Sequence, residues 1–243
     1  MVETMKLTRR VLLAAMAVGL ALPQSVFAQT QSRSKPKIGF IGAGRIGGAL
    51  AKLWTAAGYQ VMLSGADIAP VQQLATQLGP NAQAGSPAQA AAFGDVVVVT
   101  VPYGALPQVG RDYAAQLKGK VVLDTCNPNP ARDGDMTKDA LAKGTGVMDP
   151  TYLPGTRLVR AFNTIGAGNL VPMSNHPGER IGVPLASDDK AALAIAAQMV
   201  RDAGYEPVIV GDLSTAKSFD TGTPGYGKAL PASQIRANMN LKS

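Results

Sequence analysis

A glycine-rich turn directly after a short apolar run is the feature that most limits how this chain can fold. Residues 38–41, Ile-Gly-Phe-Ile, read as a buried strand, and Gly42, Gly44 and Gly47 follow before a helical pattern begins. The order of strand, tight turn and helix start makes the spacing GxGxxG informative. Gly42 allows the turn, Gly44 lets the backbone approach a pyrophosphate, and Gly47 lets the helix lie close to the strand. The segment predicts dinucleotide binding at the helix start, the alternative being a glycine-rich turn that binds nothing.

Strand-like and helical segments alternate along the rest of the chain. Residues 96–99 are four consecutive valines, which is typical of a strand that is covered on both faces of a parallel sheet. Such alternation builds right-handed βαβ units. We therefore predict an α/β fold, a single doubly wound Rossmann-type domain with a mostly parallel sheet, and leave antiparallel pairing of the last strands open. The predicted strands are 37–41, 60–64, 81–84, 95–101, 120–124, 157–162, 180–186 and 206–210, and the predicted helices are 48–57, 68–78, 87–92, 106–117, 136–142 and 190–203.

The N-terminal residues read as a secretory signal peptide. A basic segment with Arg9 and Arg10 precedes an apolar run, 11–22, that is too short to span a bilayer, and Val26-Phe27-Ala28 offers a cleavage site. The paired arginines also resemble a twin-arginine signal, and a general secretory signal is the alternative. We expect an exported protein, periplasmic or secreted, without a membrane span after cleavage. The predicted parts are a signal peptide (1–28), a disordered lead-in (29–36), the dinucleotide-binding Rossmann domain (37–213) and a C-terminal tail (214–243).

The composition argues against several kinds of site. The formal net charge is +7, but the basic residues are scattered without an aromatic platform, so we expect no nucleic-acid partner. Cys126 is the only cysteine, which excludes an internal disulfide and a thiolate metal cluster. His176 is the only histidine and lies in a polar segment, which argues against a multi-histidine metal site. We therefore predict no metal site.

Polar residues follow the ends of several predicted strands, where an open α/β sheet binds its ligand. Arg45 lies in the glycine turn and faces the pyrophosphate region, Tyr103 follows strand 95–101, and Asn127 and Asn163 follow the next two strands. The Tyr103 ring could cover a cofactor, and the two asparagines could bind carboxamide or substrate oxygens. Capping of local turns is the alternative for both asparagines. No catalytic residue is assigned, and the candidates are Tyr103 and Asn163.

These motifs resemble the NADP-binding oxidoreductases related to coenzyme F-420-dependent NADP reductase, over residues 37–219. The resemblance rests on the glycine turn and on residues 96–103, 124–128, 132–134, 159–165 and 208–213. It implies a single-domain, often dimeric reductase that places the nicotinamide against a deazaflavin, flavin or similar acceptor and passes a hydride directly. Such a transfer depends on positioning more than on acid–base groups.

The resemblance also implies roles for single residues. Ala43, Gly44, Arg45 and Ile46 match phosphate-contacting positions, while Val101, Asn127 and Ala167 match positions near the ribose and nicotinamide. Together with the residues at the strand ends, the predicted cofactor-binding set is Gly42, Ala43, Gly44, Arg45, Ile46, Gly47, Ser64, Asp67, Val101, Pro102, Tyr103, Asn127, Asn163 and Ala167.

The chain departs from the family pattern after the second strand. The family usually has serine and arginine there to bind the 2′-phosphate of NADP, whereas this chain has Ser64-Gly65-Ala66-Asp67. An acid at this place is typical of NAD binding, because it accepts hydrogen bonds from the ribose hydroxyls. We predict NADP from the family, with NAD as the alternative that the local chemistry favours.

Taken together, the sequence predicts an exported NAD(P)-dependent oxidoreductase. It would transfer a hydride between the nicotinamide and a deazaflavin, flavin or other small-molecule acceptor, and a homodimer is compatible with its short length. The alternative is a dinucleotide-binding module without turnover, such as a sensor or an accessory subunit.

Overall fold

The computed structural model describes residues 34–224 and 226–241 of the chain. The predicted signal peptide lies outside the described residues, as do residues 29–33 of the predicted lead-in. At the start of the described part, Lys35 forms an ion pair with Asp202, with 2.8 Å between Nζ and Oδ2.

Eight strands, numbered in chain order, form one sheet. They are β1 Ile38–Ile41, β2 Val61–Ser64, β3 Ala82–Ala84, β4 Val96–Val99, β5 Val121–Asp124, β6 Arg157–Arg160, β7 Gly182–Ala186 and β8 Glu206–Gly211. Their spatial order is β3-β2-β1-β4-β5-β6-β7-β8. The first six are parallel, β7 pairs antiparallel with β6, and β8 pairs parallel with β7. The predicted doubly wound, mostly parallel fold is confirmed.

Most of the predicted helices are present, with two kinds of difference. The helix predicted over 106–117 is interrupted at Tyr113, and four short helices were not predicted. The α-helices are α1 Arg45–Ala56, α2 Ile68–Leu78, α3 Pro87–Phe93, α4 Leu106–Asp112, α5 Ala114–Leu117, α6 Pro130–Asp133, α7 Met136–Lys143, α8 Thr145–Tyr152, α9 Ala167–Leu170, α10 Lys190–Asp202 and α11 Ala232–Asn238. The described helices include none that is both long enough and apolar enough to cross a bilayer.

The apolar core lies on both faces of the sheet. Val96 and Val98 belong to a cluster with residues of α1, α2 and α10, while Val97 and Val99 belong to a second cluster with residues of α4, α5 and α7. Successive strand residues point to opposite faces, so the run of valines is buried on both sides. This is why β4 reads as a continuous apolar run rather than as an alternating one.

The glycine turn joins β1 to α1 in a conformation that depends on two of its glycines. Gly42 has φ +98°, a region that residues with a Cβ rarely adopt. At Gly47 a Cβ would collide with the carbonyl oxygen of Gly42 and with the hydroxyl of Thr100. The hydroxyl of Thr100 donates to that same carbonyl, which ties the turn to the end of β4.

The C-terminal part of the described chain packs against the sheet. Residues Leu213–Phe219 form a 3₁₀ helix, and Ala232 and Ile235 of α11 form an apolar cluster with Val208 of β8. The described residues of the predicted tail therefore extend the fold around β7 and β8.

Candidate functional site

A cleft of about 690 Å³ opens at the carboxyl ends of the parallel strands. Here the chain leaves β1 toward β2 and leaves β4 toward β5, so the cleft lies at the point where the strand order reverses. Open α/β sheets bind their ligands at this point. The cleft is lined by Arg45, Ile46, residues 100–102, residues 125–130, Arg132, residues 162–166, Thr221, Tyr226 and Gly227.

The start of α1 forms one end of this cleft. Gly44 is the N-cap, and no side chain caps the helix there. A Cβ at Gly44 would meet no described atom within 4 Å, so the space in front of the helix start is open. Arg45, the first residue of the helix, is exposed and lines the cleft. Backbone N–H groups, the positive end of the helix dipole and a guanidinium all favour an anion at this place.

A polar wall of the cleft comes from the segments that follow β5, β6 and β8. Nδ2 of Asn127 donates to the carbonyl oxygen of Asn163 at 2.8 Å. Nδ2 of Asn163 donates to the carbonyl oxygen of Phe219 at 3.1 Å. The two asparagines thus join three chain segments around the cleft.

Three buried polar atoms of this wall lack hydrogen-bond partners among the described residues. They are Oδ1 of Asn163, Oγ1 of Thr164 and Oγ1 of Thr221, and all three residues line the cleft. Burying a polar atom without a partner costs on the order of 1–3 kcal/mol. The three atoms are shielded from solvent in this arrangement, so a ligand in the cleft would bind them after a small shift of the wall side chains.

The backbone bends sharply where β6 enters this wall. Phe162 is fully buried with φ +58°, which is an outlier for a bulky residue. Its ring packs edge-on against Trp54 and Tyr205, with centroid distances of 5.7 and 5.9 Å. This packing holds the unusual backbone conformation, and Asn163 and Thr164 follow directly.

A buried charge cluster lies among the segments that build the cleft. The guanidinium of Arg160 is fully buried and lies 3.0 Å from Asp124, 3.3 Å from Asp149 and 3.7 Å from Asp220. Burial would lower the pKa of Arg160, but the three carboxyl groups outweigh it and raise that pKa. Burial and the charge of Asp124 raise the pKa of Asp149 well above its usual value, which favours the neutral carboxyl. The cluster joins β5, α8, β6 and the segment after the 3₁₀ helix.

Tyr103 belongs to this cluster and not to the cleft. It is fully buried, and its hydroxyl donates to Oδ1 of Asp149 at 2.7 Å. Burial and the charge of Asp149 raise the pKa of Tyr103. This location does not support the prediction that its ring covers a cofactor.

A second cavity, of about 580 Å³, lies beyond the ends of β2 and β3. Asp67 lines it and caps α2, since Oδ1 accepts from the backbone N–H of Ala69 at 3.0 Å. Ser64, in contrast, is fully buried, and its hydroxyl donates to the carbonyl oxygen of Phe40 at 2.6 Å. A smaller cavity, of about 190 Å³, shares Gly65 and Ala66 with this second cavity and Val101 with the cleft.

The structure brings most of the predicted site residues to these cavities. The cleft is lined by Arg45, Ile46, Val101, Pro102, Asn127 and Asn163, the small cavity by Gly42, and the second cavity by Asp67. Ala43 donates its N–H to the carbonyl of Ser64, and Ala167 begins α9 next to Gly166 of the cleft. Ser64 and Tyr103 lie away from the cavities. The cofactor contacts themselves stay predictions.

Sequence reasoning missed several residues of the cleft. Thr164 lies in a segment that the family resemblance had singled out, so its position next to Asn163 was a usable signal. Thr221 and Tyr226 come to the cleft only because the chain returns after β8, and no local pattern marks them.

Comparisons with known proteins agree with this geometry. Residues 37–128 match the family described as NADP oxidoreductase, coenzyme F420-dependent, which confirms the predicted resemblance for that segment. No match was found among curated proteins.

Solved structures share the fold at low sequence identity. Hypothetical protein SMa0349 from Sinorhizobium meliloti is 24% identical, with 80% of this chain and 95% of that chain covered and a TM-score of 0.69. A protein described as a candidate F420-dependent NADP reductase from Arthrobacter sp. FB24 is 22% identical, with 75% and 88% covered and a TM-score of 0.62. An imine reductase variant from Myxococcus stipitatus, solved with NAD+, is 21% identical, with 76% and 57% covered and a TM-score of 0.57.

Proposed function

We propose that this chain is an oxidoreductase of the coenzyme F420-dependent NADP oxidoreductase family, whose description residues 37–128 match, and that it transfers a hydride between a nicotinamide nucleotide and a small redox acceptor. The observation that carries the proposal is the set of unpaired polar atoms on Asn163, Thr164 and Thr221 in the cleft. Their residues line the same cleft as the start of α1, which is suited to a pyrophosphate.

The residues present fit a dinucleotide along the edge of the sheet. The backbone at Gly44 and the guanidinium of Arg45 would hold the pyrophosphate, because the helix start is open and positive. Oδ1 of Asn163 can accept from a carboxamide or a ribose hydroxyl, and the two threonine hydroxyls can donate or accept. The second cavity, which shares lining residues with the small cavity, would take the adenosine end.

In this reaction the protein's main task is to position the nicotinamide and the acceptor. A bound nicotinamide supplies or receives the hydride, so the side chains need to orient it and keep water away. Val101, Pro102 and Ile165 give the cleft apolar surface. Burial raises the pKa of Cys126 well above its usual value, so its thiol stays protonated and adds a small apolar group.

The acceptor proposed is a deazaflavin, a flavin or a similar planar molecule. The matched family is described by its dependence on coenzyme F420, and the Arthrobacter protein carries a similar description. The cleft, at about 690 Å³, is of the size of small-molecule and cofactor sites. A second copy of the chain could complete the open side of the cleft, in line with the homodimer suggested by the family.

Thr221→Val tests the polar wall without disturbing the fold. Its hydroxyl has no partner among the described residues, so the variant should be as stable as the wild type or slightly more stable. Its affinity for the reduced nucleotide should fall about fivefold, the equivalent of one lost hydrogen bond. Thr156→Val is the matched control, because that hydroxyl donates to the carbonyl of Leu153 at 2.8 Å, away from the cleft. It should lose stability and keep its affinity, and the reverse pattern in the two variants would contradict the proposed site.

Turnover separates an enzyme from a binding module. Purified protein with bound reduced nucleotide should oxidise it when a deazaflavin, FMN or a quinone is added, which is measured as loss of absorbance at the nicotinamide band. Tight nucleotide binding without oxidation by any member of this panel would favour the module without turnover.

We propose in addition that the protein is exported. The support is the sequence of the N-terminal residues, with a basic segment, a short apolar run and small residues before the cleavage site. A fusion of residues 1–35 to a reporter that is active only after export should be active, and Arg9→Lys with Arg10→Lys should abolish activity if the twin-arginine route is used. A reporter that stays inside the cell would contradict export.

A further inference from the structure

We infer that the second cavity accepts the unphosphorylated ribose of NADH and rejects the 2′-phosphate of NADPH, an inference that rests on the proposed function. The cavity is lined by Gly65, Ala66, Asp67, Ile68, Gln72, Ala84, Gly85, Ser86, Pro87 and Gln89. Asp67 is the only charged residue among these described lining residues, and none of them is basic. A phosphate in this cavity would therefore meet a carboxylate and no lysine or arginine.

The helix start on the β2 side of the cavity offers little to a phosphate. α2 begins after Asp67, whose Oδ1 already accepts from the backbone N–H of Ala69 at 3.0 Å. The next residue, Pro70, has no N–H. Of the first three backbone positions of this helix, only Ile68 keeps an N–H that the Asp67 side chain does not take up. The positive end of the dipole is already matched by the Asp67 charge.

The helix start on the β3 side, that of α3, also has most of its backbone N–H donors occupied or missing. Oγ of Ser86 accepts from the backbone N–H of Gln89 at 3.2 Å, while Oε1 of Gln89 accepts from the backbone N–H of Ser86 at 2.8 Å. Pro87, the first residue of α3, has no N–H. The reciprocal bonds of this capping box therefore leave only the N–H of Ala88 available among the first three backbone positions of α3.

Ser64 offers no replacement for these donors. It stands at the end of β2, where a serine can bind a 2′-phosphate, but its buried hydroxyl donates to the carbonyl oxygen of Phe40. In contrast, the exposed carboxylate of Asp67 has a second oxygen, and a carboxylate is an acceptor that matches the donating hydroxyls of a ribose. The chemistry of the cavity thus selects a diol over a phosphate monoester.

Titration of the purified protein with NADH and with NADPH tests this inference. We expect the wild type to bind NADH at least about tenfold more tightly than NADPH, which is a typical effect of exchanging a charge-assisted hydrogen bond for repulsion. Asp67→Asn keeps an N-cap but removes the charge, so NADPH should bind about tenfold more tightly and NADH a few-fold more weakly than in the wild type. Asp139→Asn, on α7 and outside the lining of all three cavities, is the charge-matched control and should leave the ratio unchanged.

The outcomes separate this inference from the proposed function. Tight binding of NADPH by the wild type, or an unchanged ratio in Asp67→Asn, would overturn the inference while the nucleotide site stands. Binding of neither nucleotide would overturn the proposed function and this inference with it.

Discussion

Replacing Gly44 with aspartate is expected to abolish nucleotide binding in a protein that stays folded. A Cβ at this position meets no described atom within 4 Å, and the backbone has φ −73°, so the larger side chain fits without strain. Aspartate is among the best N-cap residues, and α1 has no side-chain cap at present, so thermal stability should stay the same or rise. The same carboxylate would lie where the pyrophosphate is proposed to bind. We expect nucleotide affinity to fall by about a hundredfold or more, since charge repulsion is added to lost donors.

Gly44→Asn is the control that separates charge from bulk. Asparagine has the size of aspartate and caps a helix equally well, but it carries no charge. Its affinity for the nucleotide should fall less than that of Gly44→Asp, and the two melting temperatures should be similar. Unchanged affinity in both variants would show that the start of α1 does not bind the nucleotide.

Replacing Arg160 with methionine is expected to destabilise the protein strongly. The guanidinium is fully buried among Asp124, Asp149 and Asp220, and its removal leaves three buried carboxyl groups without a counter-charge. Removing one partner of a buried ion pair typically costs about 3–5 kcal/mol. Urea unfolding measures the change in the free energy of unfolding, and the fluorescence of Trp54, a fully buried residue and the only tryptophan, follows the transition. A loss below about 1 kcal/mol, the range of exposed ion pairs, would contradict the role given to this cluster.

Asp149→Asn changes an acidic partner of Arg160 in the same buried charge cluster. Asparagine resembles the neutral carboxyl that the raised pKa favours, and its Oδ1 can still accept from the Tyr103 hydroxyl. The folded protein holds the Asp149 proton more tightly than the unfolded chain does, so the stability contributed by Asp149 is present at low pH and is lost as the pH rises through the raised pKa. The variant should therefore gain stability relative to the wild type as the pH rises. A difference that does not change with pH would show that Asp149 titrates normally.

Structural features that depend only on neighbouring residues in the sequence could be predicted from the sequence. The valine run of β4 and the glycines at 42 and 47 each act through immediate neighbours, and both features were predicted correctly. The N-cap role of Asp67 is also local, because an acid before a helix start caps that helix, but the sequence analysis assigned Asp67 only to cofactor binding. These features together define the doubly wound fold and one edge of the site.

Features that depend on distant contacts were not predictable in the same way. Tyr103 follows a strand end, and this position predicted that its side chain would line the cleft. Its hydroxyl instead donates to Asp149 of α8, so the side chain belongs to the buried charge cluster. Ser64 likewise sits at a strand end, but its hydroxyl bonds to the neighbouring strand at Phe40. The position of Thr221 in the cleft depends on how the chain runs after β8. No short sequence motif predicts that path.

A fluorescence titration of the wild-type protein with reduced nicotinamide nucleotide tests the proposed cofactor site directly. If the cleft and the second cavity form one cofactor site, NADH should bind with saturation at one nucleotide per chain, and its fluorescence should rise as the nicotinamide leaves water. NADPH should compete for the same site with lower affinity. The absence of a saturable change with either nucleotide would contradict the proposed cofactor site, and the glycine turn would then be an architectural feature of the fold.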